Sequence, residues 1–126
     1  NRKLLFWGDI AYHEPDLLKQ MPDSFKKATI AVAWEYNPQP KGFDRFIKPF
    51  TDAAFETWVA PGVNNWSRVY PNWNNALSNI QNFTADGQRL GATGPFVVSP
   101  NTGIDSSHGR AMVTPAPRRT VRREMR

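Results

Sequence analysis

Three short stretches of the chain hold residue types suited to a hydroxyl-rich ligand. They are Trp7 and Asp9 in FWGDI, Trp34 and Tyr36 in AWEY, and Asn64, Asn65 and Trp66 in PGVNNW. Amides donate and accept, so they match a hydroxyl in either sense, and an indole face covers the apolar C–H face of a pyranose. The plainer reading is an aromatic-rich core, since buried tryptophan usually serves packing. Asp9 and Glu35 also form a candidate general acid/base pair. Against it stands an ordinary rim hydrogen bond for each, and a sequence carries no carboxylate separation with which to separate retaining from inverting chemistry. Trp58 and Trp73 fall inside apolar patterns and are expected in the core. His13 and His108 lie far apart in unlike surroundings, which supports neither a metal nor a catalytic role. Asn65-Trp66-Ser67 and Asn82-Phe83-Thr84 match the glycosylation acceptor pattern, which is short enough to arise by chance.

Each candidate group follows an apolar run, which asks for strands to present it. Lys3 to Asp9 is a short apolar run closed by Gly8. Ala28 to Tyr36 is near-continuous and β-branched without polar alternation, the pattern of a strand buried on both faces in a parallel sheet. It stops at Asn37-Pro38-Gln39-Pro40, where proline removes the ladder donor. Phe55 to Val63 reads as a third strand ending at Pro61-Gly62, and Leu90 to Val98 as a fourth. Between them lie helical patterns. Pro15 suits the first position of a short helix through Leu17, Leu18 and Met21, ended by Pro22-Asp23. Phe43, Phe46, Ile47 and Phe50 form a helical stripe interrupted by Pro49. Ala76, Leu77, Ile80 and Phe83 form another, with Asn72 or Pro71 near its start and Gly87 near its end. The order β-α-β-α-β-α-β predicts an α/β fold with right-handed parallel crossovers. No glycine-rich phosphate fingerprint follows any strand, which counts against a nucleotide-binding fold. The polar and aromatic residues gather at the carboxyl ends, where parallel α/β folds build their sites.

The 126 residues suit one ordinary domain, or half of a barrel of about 250 residues. Hydrophobic residues make up 40% of the chain, enough for a packed core. No run approaches the roughly 18 apolar residues of a membrane span, so no membrane partner is expected. The start, NRKLLFWGDI, lacks the features of a signal peptide, reads as a chain cut from something longer, and leaves the compartment open. With Cys at 0, disulfides and thiolate metal sites are excluded. The net charge of +5 is unevenly placed. Before Gly94 the charges nearly balance and all five tryptophans occur. Beyond it, six arginines face only Asp105 and Glu124. The basic character belongs to the tail, and the body does not read as a nucleic-acid binder.

The ordered set FWGDI at 6–10, AWEY at 33–36, WVAPGVNNWSRVYPN at 58–72 and GQRLGATG at 87–94 resembles the second half of the catalytic domain of a glycoside hydrolase of family 20, the β-N-acetylhexosaminidase type. The resemblance spans residues 3–94 and is carried mainly by the third segment. It implies part of a (β/α)8 TIM barrel, about strands 5–8, in an enzyme that removes terminal N-acetylhexosamines. In that chemistry the acetamido oxygen of the substrate attacks the anomeric carbon, as in the substrate-assisted exceptions among glycosidases. The family's neighbouring Asp-Glu pair follows the fourth strand, and no Asp-Glu or Glu-Asp dipeptide occurs in this chain. The resemblance therefore implies no catalytic residue here, no cofactor, an N-acetylhexosaminide as carbohydrate partner, and a missing N-terminal half of the barrel. Trp7, Asp9, Trp34, Tyr36, Asn64, Asn65 and Trp66 would supply pocket walls. The family's eighth strand ends in a tryptophan followed by acidic residues, which is not seen after Gly94.

Residues 1–94 are thus expected to form the second half of a TIM-barrel domain, and 95–126 a divergent, disordered basic tail. Two accounts of the tail stand. Arg118, Arg119, Arg122 and Arg123 could bind nucleic acid or an anionic surface, although no aromatic residue lies among them to stack on bases. Alternatively, a frame change or chimeric junction near Gly94 replaced the native eighth strand. Besides the hydrolase fragment, two further functions remain open: a non-catalytic carbohydrate-binding or regulatory module, and a nucleic-acid binder acting through its tail.

Overall fold

The computed structural model describes residues 2–65 and 69–99. In chain order these form β1 (Leu4–Trp7), α1 (Asp9–His13), α2 (Pro15–Gln20), α3 (Asp23–Ala28), β2 (Thr29–Trp34), α4 (Asp44–Thr51), β3 (Glu56–Ala60), α5 (Trp73–Arg89) and β4 (Gly94–Pro95). The architecture is α/β. The strands form one four-stranded sheet in the order β1-β2-β3-β4, every pair parallel. Leu4 pairs with Thr29 and Trp7 with Val32, Ile30 with Glu56 and Trp34 with Ala60. The β3–β4 ladder continues beyond its formal ends. The Phe96 amide donates to the Val59 carbonyl at 3.1 Å, Val98 to Pro61 at 2.9 Å, and Val63 back to Val98 at 2.9 Å. Pairing therefore runs past the compositional break at Gly94 to Val98. The tail from Pro100 onward, with its arginines, lies outside the described residues.

The continuous apolar run of TIAVAW is explained by its place at the centre of the sheet, where Thr29 to Ala33 are all buried. Alternation along the strands sends Phe6, Ala31, Ala33 and Val59 to one face. There they meet Phe46, Ile47 and Phe50 of α4 and Phe83 of α5 in a single core. The rings of Phe43 and Phe83 stack at 4.3 Å with planes 11° apart, joining the two helices. Helix α5 approaches the sheet so closely that a Cβ on Gly87 would stand 2.8 Å from Val59 Cγ1. Glycine inside a helix costs about 0.5–1 kcal/mol, and here it admits the strand.

Among the described residues no helix covers the other face. Leu5, Trp7, Val32 and Trp58 point that way by alternation, and Phe96 packs edge-on against Trp7 at 5.7 Å and Trp58 at 6.3 Å. Leu5 is 51% exposed and Trp7 48%.

Several elements differ from the sequence expectations. The first connection holds three short helices instead of one, because Asp23–Ala28 turns once more before β2 begins. Pro15 does occupy the first turn of α2, and Pro49 lies inside α4 without ending it. Trp73, expected in the core, is 62% exposed, since the buried stripe of α5 starts a turn later at Ala76. Leu77 is likewise 53% exposed, and its expected place in the stripe is taken by Asn79.

Candidate functional site

The carboxyl ends of β1, β2 and β3 bring most of the sequence candidates together. Gly8 turns the chain out of β1, its amide bonded to the Val32 carbonyl at 2.8 Å, and α1 begins at once with Asp9. The Trp34 indole N–H, at the end of β2, donates to Asp9 Oδ1 at 3.0 Å. Two residues on, the Tyr36 ring lies beside that of Trp34, with centroids 5.1 Å apart. Tyr36 also rests on the backbone of Gly62, where a Cβ would be only 2.5 Å from Tyr36 Cδ1. Only glycine fits that approach. Asn64, on the loop after β3, donates to Asn37 Oδ1 at 2.7 Å and so connects the second and third strand ends.

Burial pushes the Tyr36 hydroxyl above the ordinary phenol range, and the carboxylates of Asp9 and Glu35 push it the same way. Tyr12, behind them, is raised chiefly by burial and held by a two-way exchange with the Trp34 backbone. Its hydroxyl donates to the Trp34 carbonyl at 3.0 Å and accepts from the Trp34 amide at 3.2 Å. Both phenols are therefore neutral donors at pH 7.

Glu35 does not act as a partner to Asp9. Its Oε1 accepts from the Tyr36 amide at 2.8 Å, the Asn37 amide at 2.8 Å and Asn37 Nδ2 at 3.0 Å. The carboxylate is folded back on its own turn, in the local side-chain-to-backbone role that short polar residues often play. Trp7 stands apart from the Asp9–Trp34–Tyr36 group, against Phe96 on the uncovered sheet face. Asn65 is only 6% exposed, and its Oδ1 is a buried acceptor with no partner among the described residues. Trp66 lies outside the described residues.

The residue that organises these loops was missed in the sequence. Asn79 of α5 is fully buried, and its Oδ1 accepts from the Gly62 amide at 2.9 Å. Its Nδ2 donates to the carbonyls of Glu35 at 2.9 Å and Asn37 at 3.1 Å. One amide thereby joins the helix to the ends of both β2 and β3. The available signal was its spacing, three residues after Ala76 and four before Phe83, on the buried stripe.

Among the described residues no group of three or more His, Asp or Glu side chains could hold a metal ion, and no helix is long and apolar enough to cross a membrane. No family model matches the chain, and comparisons with curated proteins and with solved structures likewise found no match. The resemblance to family 20 rests on the ordered motifs of the sequence alone.

Proposed function

We propose that this chain is the second half of a TIM-barrel glycoside hydrolase domain of the family 20 type, contributing part of a pocket for a terminal N-acetylhexosamine. The observation that carries the reading is the cluster at the strand ends. Trp34 touches both Asp9 and Tyr36 there, and Asn37 and Asn64 link the next loop. Indole, phenol, carboxylate and amide groups on adjacent parallel strands supply the apolar and two-way polar contacts that a pyranose needs. The strand order adds support. Doubly wound sheets reverse direction at a switch point and carry helices on both faces. Here the strands follow chain order without reversal, and α4 and α5 share one face, as in a barrel wall. Asn65 Oδ1, buried without a partner among the described residues, is an acceptor that a ligand N–H or O–H would satisfy.

A second reading, a carbohydrate-binding module without chemistry of its own, is favoured by the absence of any Asp-Glu or Glu-Asp dipeptide from the chain. The two readings share the pocket and differ in what the rest of the barrel adds. Under the first, the chain alone binds N-acetylglucosamine weakly but does not release nitrophenol from its chromogenic β-glycoside. Activity appears only when a preceding half bearing an Asp-Glu pair is supplied. Saturation-transfer NMR is expected to show the acetamido methyl of N-acetylglucosamine in contact with the chain, and Trp34→Ala to abolish the signal. Absence of any transfer from the chain to the sugar would sink both readings. Binding that never becomes turnover on addition of the other half would leave the second.

A further inference from the structure

The helix layer holds a concavity of its own, away from the strand-end loops. A cleft of about 540 Å3 lies between α1 and α4, walled by Tyr12, Pro15, Phe46 and Pro49, with His13 and Arg45 exposed along it. That volume falls in the range of small-molecule pockets, about 300–1,000 Å3. Its guanidinium differs from the paired cations around it. Lys19 pairs with Asp16 at 3.2 Å, Lys48 with Asp44 at 3.2 Å, and Arg89 with Asp44 and Asp86. Among the described residues neither His13 nor Arg45 has a carboxylate partner. Arg45 is nevertheless held in place, its guanidinium lying over the Phe46 ring at 4.4 Å from the centroid. A stacked guanidinium is a planar fork with little left to order, suited to bidentate capture of a carboxylate.

We propose that this cleft binds a small carboxylate with a flat apolar body, Arg45 taking the carboxylate and Pro15, Phe46 and Pro49 the body. Beyond Pro15 and Pro49 the groove continues into a cleft of about 270 Å3 that Arg45 also lines, with Lys19 and Lys48 set against Asp44 and Asp52. Among the described residues that line the larger cleft, Arg45 is the one lysine or arginine, so its fork places the carboxylate. Bidentate pairing selects carboxylate over carboxamide, because the amide offers one acceptor where the guanidinium presents parallel donors. This site is independent of the sugar reading.

The test is ligand-observed saturation-transfer NMR on the 126-residue chain with naphthalene-2-carboxylate and its neutral carboxamide. This measurement also works if the protein associates. The carboxylate should bind about tenfold more tightly than the carboxamide, Arg45→Gln should remove that preference, and N-acetylglucosamine should not compete. Equal binding of the two probes, indifference to Arg45→Gln, competition by the sugar, or no transfer at all would overturn the proposal. Should Arg45→Gln lose its helical circular dichroism, Arg45→Lys decides the matter. It keeps the charge but not the fork, so weaker carboxylate binding supports the site and unchanged binding refutes it.

Discussion

A buried amide destabilises a fold unless its donors and acceptors are used. Asn79 uses both ends, accepting from Gly62 and donating to Glu35 and Asn37. Replacing it with alanine strands one amide donor and two carbonyls in a site with no exposure, and leaves a small void. Asn79→Ala is expected to cost about 2–4 kcal/mol in urea denaturation, since each unsatisfied buried group costs roughly 1–3 kcal/mol. A loss below about 0.5 kcal/mol would show that the loops hold without it. The sequence exposed the polar and aromatic residue types at the strand ends but not this one. Trp34 and Asn64 announce themselves by chemistry at the end of an apolar run. Asn79 looks like any polar residue on a helix until the sheet behind it is known. Trp73 is the converse case, an apolar residue in a helical pattern that the sheet does not reach.

At the scale of elements, the start of α4 and the end of α5 are joined by charge. Asp86 Oδ2 accepts from the Phe43 amide at 2.9 Å, and Arg89 reaches across to Asp44 as well as back to Asp86 at 3.0 Å. Hydrogen bonding from Arg89, with help from Lys48, holds the Asp44 carboxyl below the ordinary carboxylate range. A carboxyl whose pKa is lower folded than unfolded binds its proton more readily when unfolded. Its stabilisation is therefore present above the unfolded value, about 3.9, and disappears as pH falls through the folded value. Asp44→Asn should lower stability modestly at pH 7, leave it nearly unchanged in acid where the carboxyl is protonated, and so flatten the loss of stability below about pH 4; 0.5 M salt should shrink the difference at pH 7. Equal acid unfolding profiles for the two proteins would refute the assignment. Strands were the easier part of the fold to read, because β2 is buried on both faces and so is apolar throughout. Helix boundaries were harder. The pattern from Asp23 to Ala28 has no buried residue to mark it, whereas the short helix expected around Pro49 is found as the eight residues of α4.

For the molecule as a whole, the uncovered sheet face and the free edge of β1 matter most. Leu4 is 73% exposed, beside Leu5 and Trp7 on the same strand. A four-stranded sheet leaves two unpaired edges, whereas closure into a barrel leaves none. The chain by itself is expected to sediment above its 14.3 kDa monomer mass, and Leu5→Lys to shift it toward monomer. A single 14.3 kDa species with a sharp thermal transition would contradict this. The parallel α/β class was legible from element order. The shared helix face was not, because crossover hand and strand order reside in three dimensions. The amide tie from α5 also bears on the order in which the chain assembles. Asn79 lies 17 residues from Gly62 and more than twice as far from Asn37, at a separation of 42. In a nascent chain emerging amino end first, the loops at the sheet's carboxyl end lack this anchor until the helix has emerged and docked. The Gly62 N–H is then a clock. Its protection from deuterium during refolding times the arrival of α5 and follows the pairing of β2 with β3, which needs no side chain.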